Sequence, residues 1–204
     1  MARPALNGIE DVLEAARAMA RLGRPWFIGG GWSIDLHLGR VTREHHDVDI
    51  LVLRSDQLRV QTLLSDWRLN KIIPHPQGLM NQGTLARWEP GERLELPVHQ
   101  VDVHRAGDDA IAFQIMLGES SGDQWIYRRN PAVTHPLVSL GFHPLWGLPY
   151  LAPEIVLLFK AKLMQPHDRA DFAAAAQAMS AEAKAWLREA LIKCHPGHEW
   201  LASL

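Results

Sequence analysis

Apolar residues recur at Ile9, Val12, Leu13, Ala16, Met19, Ala20 and Leu22, a helical spacing that Gly23 and Pro25 bring to an end. Trp26-Phe27-Ile28 then reads as a short strand running into Gly29-Gly30-Gly31. Trp32 to Leu38 returns to helical spacing and Gly39 closes it. The unit is strand, glycine turn, helix. Asp47 to Leu53 predicts a second strand, Ser55-Asp56 the cap of a helix reaching Trp67, and Lys71-Ile72-Ile73 another strand ended by Pro74. Leu79 to Trp88, Pro97 to His104 and Ala110 to Met116 read as three further strands. Residues 118–150 scatter Gly, Pro, Trp and His without a period and read as loops around one or two short strands. From Pro153 the pattern is helical: one apolar stripe broken by Pro166, an alanine-rich helix capped by Asp168, and a last helix from Ser180 that ends before His195-Pro196-Gly197. The expected architecture is an α/β (α+β) mixed sheet flanked by helices over residues 1–150, with a C-terminal helical subdomain over 151–204.

Composition adds limits. With 204 residues, 47% hydrophobic and 22% charged, the chain can bury a core of its own. A net charge of −2, from 21 basic and 23 acidic residues, supplies no electrostatic footprint for general nucleic-acid binding and favours a small-molecule partner. Cys194 has no second cysteine to pair with, the segment from Met1 to Leu22 lacks the apolar core of a signal peptide, and no apolar run reaches membrane-span length. A cytoplasmic location with no membrane contact is the expectation. The sequence does not fix an oligomeric state.

The chemistry concentrates between Gly29 and Asp49. Glycines between a strand and a helix let backbone N–H groups approach an anion with no Cβ in the way. Alternate side chains of a strand share a face, so Asp47 and Asp49 are expected to point together while Val48, Ile50 and Val52 enter an apolar layer. Like charges so placed repel, and a cation relieves the repulsion. Asp102, between Val101 and Val103, repeats the arrangement; if its strand neighbours the first, three carboxylates are available for two Mg²⁺ ions. The histidines raise a rival transition-metal site at His45, His46, Asp47 and His104, weakened because adjacent His45 and His46 face opposite ways in extended chain. Trp88, Trp125 and Trp146 fall near the expected substrate half, where packing explains each better than ligand stacking.

Gly30-Gly31-Trp32-Ser33-Ile34-Asp35, Gly39-Arg40-Val41-Thr42-Arg43, His45-His46-Asp47-Val48-Asp49 and Val101-Asp102-Val103-His104 resemble the aminoglycoside- and lincosamide-type antibiotic nucleotidyltransferases of the DNA polymerase beta superfamily. Pro149 to Ile155, Leu158-Phe159-Lys160-Ala161-Lys162 and Asp168 to Phe172 are similar to that family's later segment. The resemblance implies a nucleotidyltransferase-like fold and transfer of a nucleoside monophosphate, from ATP or another NTP, to a hydroxyl of a small-molecule acceptor such as an aminoglycoside or lincosamide. It implies that Gly30, Gly31 and Ser33 lie at the nucleotide phosphates, with Arg40, Arg43 and Lys160 steadying them. Asp47 and Asp49 would bind Mg²⁺, and Asp102 would bind metal or take the acceptor proton. Asp35 could orient the turn. His167 stands where related proteins often carry lysine, a departure from the pattern. Glu44, Glu119 and Asp123 are the acids that could attract a cationic acceptor. The alternative is a non-catalytic nucleotide-binding or interaction module, such as a toxin–antitoxin component.

Overall fold

The computed structural model describes residues 8–75, 83–144 and 147–204. Trp146 and the Leu79 start of one expected strand lie outside them.

Helix α1 (Glu10–Met19) leads into β1 (Trp26–Ile28) and α2 (Gly30–Leu38), which ends at Gly39 in the left-handed conformation (φ 67°). Then follow β2 (Asp49–Leu53), α3 (Gln57–Leu63), β3 (Arg68–Pro74), β4 (Gly83–Arg87), β5 (Gln100–His104) and β6 (Ile111–Ser121). The segment expected to be mostly loop holds four short strands, β7 (Gln124–Ile126), β8 (Thr134–Pro136), β9 (Gly141–Phe142) and β10 (Tyr150–Leu151). Helices α4 (Pro153–Lys160), α5 (Asp168–Ala178) and α6 (Ala181–Cys194) and a 3-10 turn (Glu199–Ala202) follow, α4 with proline in its first turn and α6 capped by the Ser180 hydroxyl, which accepts from the Ala183 N–H.

The main sheet runs β4-β3-β5-β6-β2-β1-β10-β9, with the β7–β8 hairpin continuing from the end of β6. It is mixed: β2–β6 and β1–β10 are parallel pairs, and the other pairings are antiparallel. The alternation expected for the second strand holds. Val48, Ile50 and Val52 enter one core with Val12, Met19, Val60, Val101, Phe113 and Ile115, so α1 and α3 cover that face. Leu51 turns the other way, into a second core with Phe27, Ile34, Trp125, Tyr127 and residues of α4, α5 and α6. At roughly 25 cal/mol per Å² of apolar surface, two such cores easily hold a sheet of this size. The second core leaves part of that face uncovered, and the uncovered part is the site.

Three expectations about elements change. The second strand begins at Asp49, so exposed Asp47 lies in the approach to it. The helix after Ser55 is a turn of 3-10 helix (Arg54–Asp56) followed by α3, with no side-chain cap and an end short of Trp67. Asp168 is the first residue of α5 rather than its cap, though its carboxylate does accept the Gln165 N–H at 2.8 Å.

Candidate active site

The uncovered face is a cleft of about 790 Å³ between the sheet, the glycine turn, the β7 region and α4–α5. Its floor is set by register. Asp49 on β2 pairs with Gln114 on β6, and Gln114 pairs with Asp102 on β5. The three side chains therefore stand in one row on one face. Asp49 and Asp102 were expected on neighbouring strands; β6 lies between them, and Gln114, for which the sequence predicts no role, fills the gap. Gln114 Nε2 donates to Asp102 Oδ1 at 2.7 Å and Gln100 Nε2 donates to the same oxygen at 3.3 Å.

Asp49 sits against the glycine turn. The Gly29 N–H donates to the Asp49 carbonyl at 2.7 Å, and a Cβ on Gly30, whose φ is +57°, would lie 2.7 Å from Asp49 Oδ2. Only glycine fits there. Asp49 Oδ1 is buried with no hydrogen-bond partner. Burial first, and then the charge of Asp47, push the Asp49 carboxyl up to about 7, against the opposing charge of Lys160. An orphaned buried carboxylate beside a second carboxylate is a donor set fit for a hard divalent cation. Asp47 and Asp102 line the same cleft.

Arg43 and Lys160 line the cleft as well, but neither stands alone. Arg43 Nε and Nη2 donate to the two oxygens of Asp171 at 3.1 and 3.2 Å, and Lys160 Nζ meets Asp171 Oδ2 at 2.9 Å and also pairs with Asp168. Asp171, 3% exposed, thus ties the loop before β2 to α4 and α5. Burial alone would raise its carboxyl; the bonds from Arg43 and Lys160 outweigh that and hold it below the ordinary range. His167, Asp168 and Asp171 are close enough together to hold a metal, with ligand atoms within 4.8 Å of one another. The Lys160 ammonium and Arg43 guanidinium already compensate their charge, so the unpartnered Asp49 is the stronger cation site.

Two expected nucleotide contacts do not face the cleft. Ser33 is fully buried and its hydroxyl donates to the Leu151 carbonyl at 2.5 Å, fastening α2 to β10. The Arg40 side chain is exposed and is not among the residues lining the cleft. Asp35 is structural. Buried, it accepts from the Thr42 N–H at 3.1 Å and the Thr42 hydroxyl at 2.5 Å, and meets His45 Nε2 at 2.6 Å. That contact, with the His45 ring 4.5 Å from Trp32, takes His45 out of any histidine metal site, and His104 bonds the Asp109 and Ala110 carbonyls. Trp88 and Trp125 are both core residues, and Trp125 also lines the cleft.

Residues 11–73 match the family model for aminoglycoside-2''-adenylyltransferase. A 2''-aminoglycoside nucleotidyltransferase of Escherichia coli is 65% identical over 26 residues, 13% of this chain and 15% of the relative's length, and one of Klebsiella pneumoniae matches to the same extent. The matched segment is thus a small part of those proteins. Over the whole fold, the chain is similar to the solution structure of the antibiotic-resistance factor ANT(2'')-Ia, with TM-score 0.52, 16% identity and 91% of each chain covered. It is similar to ANT(2")-Ia in complex with adenylyl-2"-tobramycin (TM-score 0.54, 14% identity, 90% and 98% covered). The lincomycin-bound lincosamide adenylyltransferase LnuA also matches (TM-score 0.54, 15% identity, 83% and 97% covered). The chain has the fold of these aminoglycoside and lincosamide nucleotidyltransferase structures, and its residues 11–73 match the aminoglycoside-2''-adenylyltransferase family model.

Proposed function

We propose that this protein is a Mg²⁺-dependent nucleotidyltransferase that moves a nucleoside monophosphate, AMP when ATP is the donor, to a hydroxyl of a small molecule. One observation carries the reading: Asp47, Asp49 and Asp102 share a cleft with the Gly29–Gly31 turn, and Asp49 Oδ1 is buried there without a partner. In this reading Asp47, Asp49 and Asp102 hold the metal, as one ion or two. Bound Mg²⁺ would neutralise phosphate charge and the charge that develops on the reacting oxygens.

The protein's own contribution is positioning. Gly30 and Gly31 present backbone N–H groups at the start of α2 to the phosphates. Arg43 and Lys160 stand beside them as N–H donors, held in place by their pairing with Asp168 and Asp171. As the acceptor oxygen bonds to the α-phosphorus and the bond to pyrophosphate breaks, the hydroxyl proton passes to Asp102. Both amide contacts fall on Asp102 Oδ1, so Oδ2 carries no protein hydrogen bond among the described residues. Such work belongs in the cytoplasm, where nucleoside triphosphates are abundant.

The ligands of the similar structures, tobramycin and lincomycin, make aminoglycosides and lincosamides the first acceptors to try. Among the described residues no helix is long and apolar enough to cross a membrane. The test is pyrophosphate release from Mg·ATP across an acceptor panel. Release that requires both metal and acceptor, and that Asp49→Asn abolishes, supports transfer. Tight Mg·NTP binding with no release would favour the non-catalytic nucleotide-binding module.

A further inference from the structure

The far end of the cleft carries the opposite charge from its metal-binding end. Glu119 lies five residues beyond Gln114 along β6, roughly 16 Å at about 3.3 Å per residue. It is the one acid of the three offered for a cationic acceptor that lines the cleft, and Arg54 takes it, with Nε at 2.8 Å and Nη2 at 2.7 Å from Oε1. Glu44 and Asp123 are exposed and lie outside the cleft lining. What remains at this end is a set of donors.

Trp125 is 1% exposed, and its indole Nε1 has no hydrogen-bond partner. That nitrogen lies beside Gly118 in the cleft wall, 3.2 Å from where a Cβ on Gly118 would stand. A buried donor left unmade is costly unless something else accepts from it. Arg128 lines the same end, its guanidinium 5.5 Å from the Phe159 ring centroid, and no carboxylate pairs with it among the described residues. Arg129 is committed otherwise, donating to the Phe159 carbonyl at 3.0 Å and the Tyr127 hydroxyl at 3.3 Å. Burial, then the neighbouring Arg129 charge, bring Arg128 down to about 10. Burial, then Arg128 and Arg129, hold His99 at about 4, so its ring is neutral at pH 7. A polycation entering here would meet an uncompensated positive field.

Resting on the nucleotidyl-transfer reading, we propose that Arg128 and the indole N–H of Trp125 form a subsite for an anionic group of the acceptor, making the second substrate a carboxylate- or phosphate-bearing hydroxyl compound. Ile126, Phe159 and Leu163 give the body of that compound an apolar wall. A phosphate could also arrive as the tail of the nucleotide. Against that source, Gly118, beside which the Trp125 indole lies, is four residues beyond Gln114 along β6, about 13 Å from the Asp49–Gln114–Asp102 row at about 3.3 Å per residue.

The experiment measures binding, so it does not depend on turnover. The intact protein is loaded with Mg²⁺ and a non-hydrolysable ATP analogue, then titrated with glucose 6-phosphate, glucose, glucosamine and tobramycin by calorimetry. Glucose 6-phosphate is expected to bind best. Arg128→Met should weaken it by about 10- to 100-fold, the range for losing a charge-assisted contact, with analogue affinity unchanged. Arg128→Lys should recover part of the loss, and Trp125→Phe, which removes the N–H and keeps most of the packing, should weaken binding several-fold. The proposal is overturned if tobramycin binds more tightly than glucose 6-phosphate, if no anion binds, or if Arg128→Met leaves the sugar phosphate untouched and weakens the nucleotide analogue. If the analogue fails to bind while glucose 6-phosphate still binds through Arg128, nucleotidyl transfer falls and the anion site stands.

Discussion

Replacing Asp49 with asparagine isolates the group on which the proposed chemistry turns. The Asp49 carboxyl is pushed from 3.8 to about 7 by burial and by Asp47. At about 1.4 kcal/mol per pH unit, ionising it in the metal-free fold costs about 4 kcal/mol at most, relative to the unfolded chain. The sign follows from a folded value above the unfolded one. Protonated Asp49 contributes stability that is complete below about pH 3.8 and is lost as pH rises through about 7. A cation that binds only the ionised site restores it. Metal-free wild type should therefore lose Tm between pH 5 and 8, and the rise in Tm on adding Mg²⁺ should be larger at pH 8 than at pH 6. Asp49 is about tenfold more ionised at pH 8 than at pH 6, so at saturating Mg²⁺ the rise should be larger at pH 8 by about 1.4 kcal/mol, or roughly 3–6 °C at about 2–4 °C per kcal/mol for a chain of this size. In Asp49→Asn the Asp49 part of the pH slope and most of the Mg²⁺ response should vanish, together with pyrophosphate release. Thermal melts with EDTA or Mg²⁺ across that pH range measure each quantity. An asparagine variant that keeps the full Mg²⁺ response at pH 8, or that turns over undiminished, refutes the reasoning.

Other residues give separable effects. Gly30→Ala places a Cβ 2.7 Å from Asp49 Oδ2 at a φ of +57°, so it should cost about 1–2 kcal/mol in urea melts and abolish Mg·NTP binding by calorimetry. Ser33→Ala loses a buried bond to the Leu151 carbonyl; stability should fall by about 1–2 kcal/mol while KM for the nucleotide stays put, and a raised KM would return Ser33 to the phosphates. Asp171→Asn takes the carboxylate from Arg43 and one of two carboxylates from Lys160, which keeps Asp168, and should destabilise by about 3 kcal/mol. Because the Asp171 carboxyl is depressed in the fold, its stabilisation is present above the unfolded value near 3.8 and is lost as pH falls through the folded one. Acid melts of the asparagine variant should be flatter below pH 4.

Most of the elements follow from local pattern. The strand at Trp26, the glycine turn and its helix, the helix from Pro153 and the Ser180 cap all obey short-range rules, and each is present. The region between Gly118 and Tyr150 does not. Strands of two or three residues are too short to show a period, and β10 exists because it pairs with β1 across more than a hundred residues. The site divides along the same line. Glycines before a helix and Asp-x-Asp ahead of an apolar strand are local signals, legible because each residue's backbone or face follows from its immediate neighbours. Gln114 carries no such signal: it matters because β6 inserts between β2 and β5.

Local sequence suffices for one end of the cleft: the turn at Gly29–Gly31 and the alternation that sends Val48 inward and leaves Asp49 on the other face. Tertiary structure alone decided the charge states and partners. Ser33 faces Leu151, Asp35 gathers Thr42 and His45, and Asp171 holds Arg43 and Lys160 together. The Trp125 end of the cleft, where Arg54 claims Glu119 and Arg128 is left with an aromatic face, was equally beyond the sequence. The physical reason is range: propensity and periodicity act over a few residues, whereas burial and ion pairing depend on which distant segments pack against one another.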